Sequence, residues 1–175
     1  MPSGKTHDAI TFILAVPAFA GAISLSGDLS FALTVTLGFL FGGLMFGPDL
    51  DTKSTQYSRW WALRILWLPY RSFFKHRSRW SHGLAFGALL RVVYFMGVAT
   101  CVAFLVSLGY AAYIGGASPD VLNFARVWSI VREYSDVVLG PFGWIALFTG
   151  TWLGAASHTV TDIVGTYVRT GRARL

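Results

Sequence analysis

Four long apolar runs, at residues 9–25, 29–46, 84–114 and 137–157, limit what this chain can fold into. Only the run at 84–114 contains a charged residue, Arg91. A helix rises about 1.5 Å per residue, so even the shortest of these runs nearly crosses a hydrocarbon layer roughly 30 Å thick. Within such a layer each backbone N–H and C=O must be satisfied inside the segment, and helix is the conformation that does this for a single run. The sequence therefore predicts an all-α integral membrane bundle of about four transmembrane helices, with short amphipathic surface helices. It forms one domain over residues 1–175, with a connection at 48–82 between the second and third spans. A helix over 83–114 would reach about 48 Å, so its first turns are expected to stand in the interface.

Composition agrees with that class. Hydrophobic residues make up 54% of the chain and charged residues 13%, against roughly 25% charged in a soluble domain. The net charge of +6 reads first as a topology signal. With the N-terminus inside, twelve of the fourteen Lys and Arg residues fall at or near the cytoplasmic side, and only Arg126 and Arg132 fall opposite. This bias places both termini in the cytoplasm. Ala18-Phe19-Ala20 before Gly21 has the form of a processing site, but the basic region before it is weak and a second apolar run follows at once. The first run is thus read as a retained span. Cys101 is the only cysteine, which excludes an internal disulfide and argues against thiolate ligands.

Residues 57–75 interleave Trp60, Trp61, Trp67 and Tyr70 with Arg59, Arg64, Arg71 and Lys75. Such a mixture fits a segment lying in the headgroup layer among membrane lipids, with Pro69 breaking or kinking it. No nucleic-acid partner is expected. Ser118-Pro119-Asp120 reads as the start of a short surface helix on the far side, and Thr166 opens a basic tail. Gly38 and Gly42, and then Gly43 and Gly47, are pairs four apart that permit close helix contact.

The four histidines are His7, His76, His82 and His158. His7 adjoins Asp8, and His158 precedes Asp162 by one helical turn. Asp49 and Asp51 open the 48–82 connection, and His76 and His82 close it. The four-span topology brings all these groups to the cytoplasmic face. Imidazole nitrogens and carboxylate oxygens are the ligands that zinc, manganese and iron accept. An extended backbone at Asp49-Leu50-Asp51 would send both carboxylates to one side. His158 and Asp162 share a helix face, and Gly150 and Gly154 continue that stripe. Taken singly, Asp49 as a helix cap or His158 as a hydrogen-bonded side chain is the simpler reading. As a set they predict an interfacial divalent-metal site.

Thr6-His7-Asp8, Pro48-Asp49-Leu50-Asp51, His76-Arg77-Ser78 through Ser81-His82-Gly83, and His158 with Thr161-Asp162 occur in that order. Together they resemble a family of small prokaryotic membrane proteins described as uncharacterised metal-binding proteins. More distantly, the chain is similar to inner-membrane metal-dependent hydrolases with Pro-Asp-x-Asp and His-Arg-Gly-x-Thr-His motifs, a group linked to zinc-dependent phospholipase C and P1-type nuclease. Here His76 and His82 are six apart rather than five, and Ser78 replaces the glycine. The resemblance implies His7, Asp49, Asp51, His82, His158 and Asp162 as ligands of two or more ions, zinc or else manganese or iron. Asp8 and His76 would be ligands or line the site. Asp51 and His82 would stand at the reacting centre, where the metal activates water, and Arg77, Arg79 and Lys53 would hold phosphate. It further implies a phosphoester or phospholipid-like substrate at the inner membrane. Two other readings stand beside this one. A non-catalytic metal-binding scaffold, or a lipid- or partner-binding protein, needs the same ligand types. A metal transporter is disfavoured, because residues 9–25, 29–46, 92–117 and 137–157 carry no charged side chains along a path.

Overall fold

The computed structural model describes residues 3–73, 83, 86–113 and 121–171, without the side chains of 121–124 and 127. Among the described residues every regular element is helical. Helix α1 (Gly4–Ser26) is capped by Ser3, whose Oγ accepts from the Thr6 amide at 3.2 Å. The cap starts the helix ahead of the apolar run, so His7 and Asp8 lie in its first turns rather than before it. Gly27, at φ 65°, ends α1 in the left-handed region that glycine adopts without strain. Asp28 then caps α2 (Leu29–Leu44) by accepting from the Ser30 amide at 2.8 Å.

After α2 the chain makes a 3-10 turn (Pro48–Asp51), helix α3 (Thr55–Arg59), a 3-10 helix (Trp61–Trp67) and helix α4 (Leu68–Phe73). Helices α5 (Phe86–Tyr113), α6 (Val121–Leu139) and α7 (Gly143–Thr170) complete it.

The expected four spans are reduced by this layout. Helices α1 and α5 are long and apolar enough to cross a membrane. Residues Trp128–Leu139 and α7 qualify only as one pair, bent by 79°. Helix α2, at 16 residues, is shorter than the ~20 a span needs. Length and composition thus support two or three spans. The expected span at 137–157 is divided because Gly140, at φ 78°, and Pro141 stop α6 within the run. The surface helix expected from Ser118 onward accordingly runs on to Leu139. The basic tail, as far as Thr170, continues α7.

Helix α2 is sandwiched between α7 and α1, and its contact with α7 is the more extensive. Glycine sets that contact. A Cβ on Gly150 would collide with the carbonyl of Val35, one on Gly154 with that of Phe39, and one on Gly42 with that of Thr151. Backbone therefore meets backbone. Such close approach brings dispersion and weak Cα–H···O contacts that a larger residue would prevent. Gly43 makes room for the side chain of Thr11 of α1.

A second packing unit is aromatic. Phe46, Leu50, Tyr57, Trp60, Trp67 and Tyr70 form a buried cluster, with Tyr94 and Phe95 of α5 against it. Trp60 Nε1 donates to the Met45 carbonyl at 2.9 Å, and the Tyr94 hydroxyl donates to the Leu66 carbonyl. The segment expected to lie wholly in the headgroup layer is thus split. Tyr57, Trp60, Trp67 and Tyr70 are core, whereas Trp61 and Phe73 are each 82% exposed. The short helices fold it back over the end of α2, and the change from 3-10 to α-helix at Leu68 prevents a single basic face through Arg64 and Arg71.

Arg91 fastens α5 to this unit. It is 1% exposed, and its Nε donates to the Phe46 carbonyl at 3.1 Å. Tyr70 hydrogen-bonds its guanidinium, and the carboxylates of Asp51 and Asp49 attract it. Burial pushes the Tyr70 phenol above its ordinary pKa, with Arg91 opposing, so the phenol stays neutral at physiological pH.

Two outcomes follow for stability, each measured by denaturant unfolding in detergent. Gly154→Val should cost at least ~3 kcal/mol by separating α2 from α7, whereas Gly97→Ala, where a Cβ meets nothing, should be tolerated. Arg91→Leu should cost about 3–5 kcal/mol, because it leaves Asp51 buried without its cation.

Candidate metal centre

Helix α1 presents His7, Thr11 and Ala15 as its buried face, one turn apart. The Thr11 hydroxyl donates to the His7 carbonyl at 2.9 Å. Helix α7 carries Gly150, Gly154, His158 and Asp162 at intervals of four, all buried. The glycines press this face against α2, and the next two positions bring an imidazole and a carboxylate beside His7. The rings of His7 and His158 stack at 3.7 Å between centroids and 8° between planes.

His7 Nε2 lies 3.2 Å from Asp162 Oδ1, and His158 Nε2 lies 3.9 Å from Asp162 Oδ2. Asp49 Oδ2 is 3.5 Å from His158 Nε2. Ligands about 2.0–2.1 Å from a tetrahedral ion stand roughly 3.3 Å apart, so these separations suit a shared cation. One ligand atom from each of His7, His158 and Asp162 falls within 4.8 Å of the others. Yet His7 Nδ1, His158 Nε2 and both Asp162 oxygens are buried and make no hydrogen bond among the described residues. The 3.2 Å contact is close but lacks hydrogen-bond alignment. Each unsatisfied buried polar group costs about 1–3 kcal/mol. A divalent ion satisfies several of them at once, and the donor set fits it.

The surroundings hold these groups in place. The Asp49 carbonyl accepts from Ser54 Oγ at 2.8 Å and from Thr52 Oγ1 at 3.2 Å, which fixes the 3-10 turn. Gln56 Nε2 donates to the Gly43 carbonyl at 2.8 Å and stands 3.2 Å from His158 Nδ1. Arg59 Nη1 donates to Asp8 Oδ1 at 3.0 Å and to the Leu44 carbonyl at 2.7 Å. A cavity of about 210 Å³ opens beside the histidines, lined also by Asp8, Asp49, Gln56, Arg59 and Asp162.

The structure thus brings His7, Asp49, His158 and Asp162 together. Asp8 lines the same cavity, with its carboxylate held by Arg59. Asp51 is buried in the field of Arg91 and Tyr70 and is not among the cavity residues. The backbone there is a 3-10 turn rather than the extended strand that would align the two carboxylates. Lys53 is exposed and away from the cavity lining. His76, Arg77, Arg79 and His82 lie outside the described residues. Gln56 and Arg59 are cavity residues that sequence reasoning missed as site residues. Arg59 and Asp8 are 51 positions apart, and no local spacing announces such a pair.

The family model for uncharacterized metal-binding protein (DUF2227) matches residues 2–172. The chain belongs to this family. That stretch includes His7, Asp49, His158 and Asp162. A relative from Aquifex aeolicus (strain VF5), itself described as an uncharacterized protein, is 29% identical over 134 residues. The match covers 76% of this chain and 90% of the relative. No solved structure matches the chain.

If His7, His158 and Asp162 bind a divalent ion, the ion at about 100 times its Kd should stabilise the wild-type protein by about 2.7 kcal/mol. His158→Ala should lose that stabilisation together with the bound metal, as read by thermal unfolding and elemental analysis.

Proposed function

We propose that this protein is a membrane-embedded, metal-dependent hydrolase that acts on a phosphoester or phospholipid-like substrate at the cytoplasmic face. The observation that carries the metal part is the convergence of His7, His158 and Asp162 beside a cavity, with His158 Nε2 and both Asp162 oxygens buried and unbonded among the described residues. A bound divalent ion would supply Lewis-acid polarisation of a phosphoryl oxygen and ready deprotonation of water at neutral pH. His7 and His158 would bind it as neutral imidazoles. Asp162 turns Oδ1 toward His7 and Oδ2 toward His158, and Asp49 Oδ2 lies beside His158, so these four residues would hold the metal. Gln56 contacts the far side of the His158 ring and orients it. The open cavity favours a catalytic over a closed structural site, because catalysis needs a position for substrate.

Membrane embedding draws support from the exposed apolar surfaces of α1 and α5, including Val16, Leu25, Val93 and Val106. The cytoplasmic placement rests on the four-span reading of the sequence, in which twelve of fourteen cations fall on the side of the site.

A second reading has its own support. The ligands come from α1, α7 and the 3-10 turn, three separate elements that a metal would staple together without chemistry. Purified protein loaded with zinc, manganese or iron should cleave a phosphodiester, and His158→Ala and Asp162→Ala should each reduce the rate by at least about a hundredfold. Metal-dependent stability with no cleavage of any phosphoester would favour the staple. Undiminished cleavage by both variants would reject the catalytic centre.

A further inference from the structure

Arg59 closes α3 and lines the cavity that holds His7, His158 and Asp162. Its Nη1 donates to Asp8 Oδ1 and to the Leu44 carbonyl, and its Nη2 donates to Asp8 Oδ2. A guanidinium carries five N–H groups. Three are bonded here, and the Nε–H and the second Nη2–H have no acceptor among the described residues. The side chain is 31% exposed. Asp8 and the Leu44 carbonyl therefore fix the guanidinium in position and leave part of its fork available. A cation held in this way loses little side-chain entropy when a further anion arrives.

The cavity is also larger than a metal requires. At about 210 Å³ it has several times the roughly 30 Å³ share of a liquid water, leaving room for a tetrahedral oxyanion beside the ligands. Its charge is conditional. Asp8, Asp49 and Asp162 contribute three carboxylates against the one guanidinium of Arg59. Without metal the lining repels anions. A divalent ion cancels the excess negative charge, and Arg59 lines the same cavity. A phosphate group carries tetrahedrally arranged oxygens, so it can place one on the metal and still present two to the open part of the arginine fork.

We infer that Arg59 is the residue that receives the phosphate oxygens of the substrate, in an arrangement pre-set by Asp8. This deepens the metal-dependent reading above and rests on it. It assigns to Arg59 a specificity role that the family resemblance implied for Arg77, Arg79 and Lys53. Because the anion binds only the metal-loaded cavity, metal and phosphate must strengthen one another's binding by the same factor.

The test titrates inorganic phosphate into the full-length protein in detergent, with and without manganese, and follows the heat of binding. The variants are Arg59→Lys, which keeps the charge opposite Asp8 but loses the planar fork, and Arg59→Gln. The wild type should bind phosphate only when loaded with metal. Arg59→Lys, with its metal stoichiometry intact, should bind about tenfold more weakly, and Arg59→Gln up to about a hundredfold more weakly. Wild-type phosphate affinity in fully loaded Arg59→Lys would overturn the assignment, as would phosphate binding by the metal-free wild type or none by the loaded one. A wild type that takes up no metal would defeat the metal-dependent reading itself, and the assignment with it. A parallel titration in micelles doped with phosphatidic acid identifies the source. Displacement of phosphate by the lipid points to a membrane phosphate and its absence to a soluble one, and either supports Arg59 where Arg59→Lys weakens binding.

Discussion

The backbone contact between α2 and α7 is the constraint on which the remaining structure depends. Gly42 on one helix, and Gly150 and Gly154 on the other, remove the side chains that would hold the axes apart. The approach is close enough for carbonyl oxygens of one helix to meet glycines of the other. Dispersion falls off steeply with separation, so this contact tolerates little displacement. His158 and Asp162 continue the same stripe by one and two further turns. Their position relative to α1 is therefore fixed by how tightly α7 sits on α2.

Helix α1 completes the arrangement from a neighbouring face of α2. Thr11 packs on Gly43, and His7, one turn earlier, arrives over His158. The imidazoles and the Asp162 carboxylate are thus buried by packing that is indifferent to their polarity. Burial without hydrogen bonds is costly, and convergence of these particular donors makes a cation the physical remedy. The apolar packing creates the electrostatic demand that defines the site.

The connection after α2 has a structural as well as a chemical role. Its aromatic residues build a core of their own around Phe46 and Trp67, and Arg91 of α5 reaches into it. Asp51 faces that arginine while Asp49, two residues earlier, faces His158. A single 3-10 turn thus divides two neighbouring carboxylates between a buried ion-pair network and the candidate metal centre. A divided role of this kind links the placement of α5 to the geometry of the site.

Helical class, the apolar character of α1 and α5, the turn at Gly27 and the pairing of His158 with Asp162 were all determined by the sequence, because each depends on local periodicity, capping or backbone freedom. The glycine stripe at 150 and 154 was legible for the same reason. Other features were decided only by tertiary structure. Four apolar runs yielded two or three candidate spans among the described residues, since Gly140 and Pro141 interrupt one run and α2 is short. The basic aromatic segment looked uniformly interfacial, yet folding sorted its rings between core and surface. Asp49 and Asp51 looked equivalent, and a turn sent them to different partners. The clamp of Asp8 on Arg59, and the place of Gln56 behind His158, join residues that lie 51 and 102 positions apart. Periodicity reports which face of one element is apolar. It carries no record of which distant element will meet that face, because long-range contacts are selected by the packing of the whole chain.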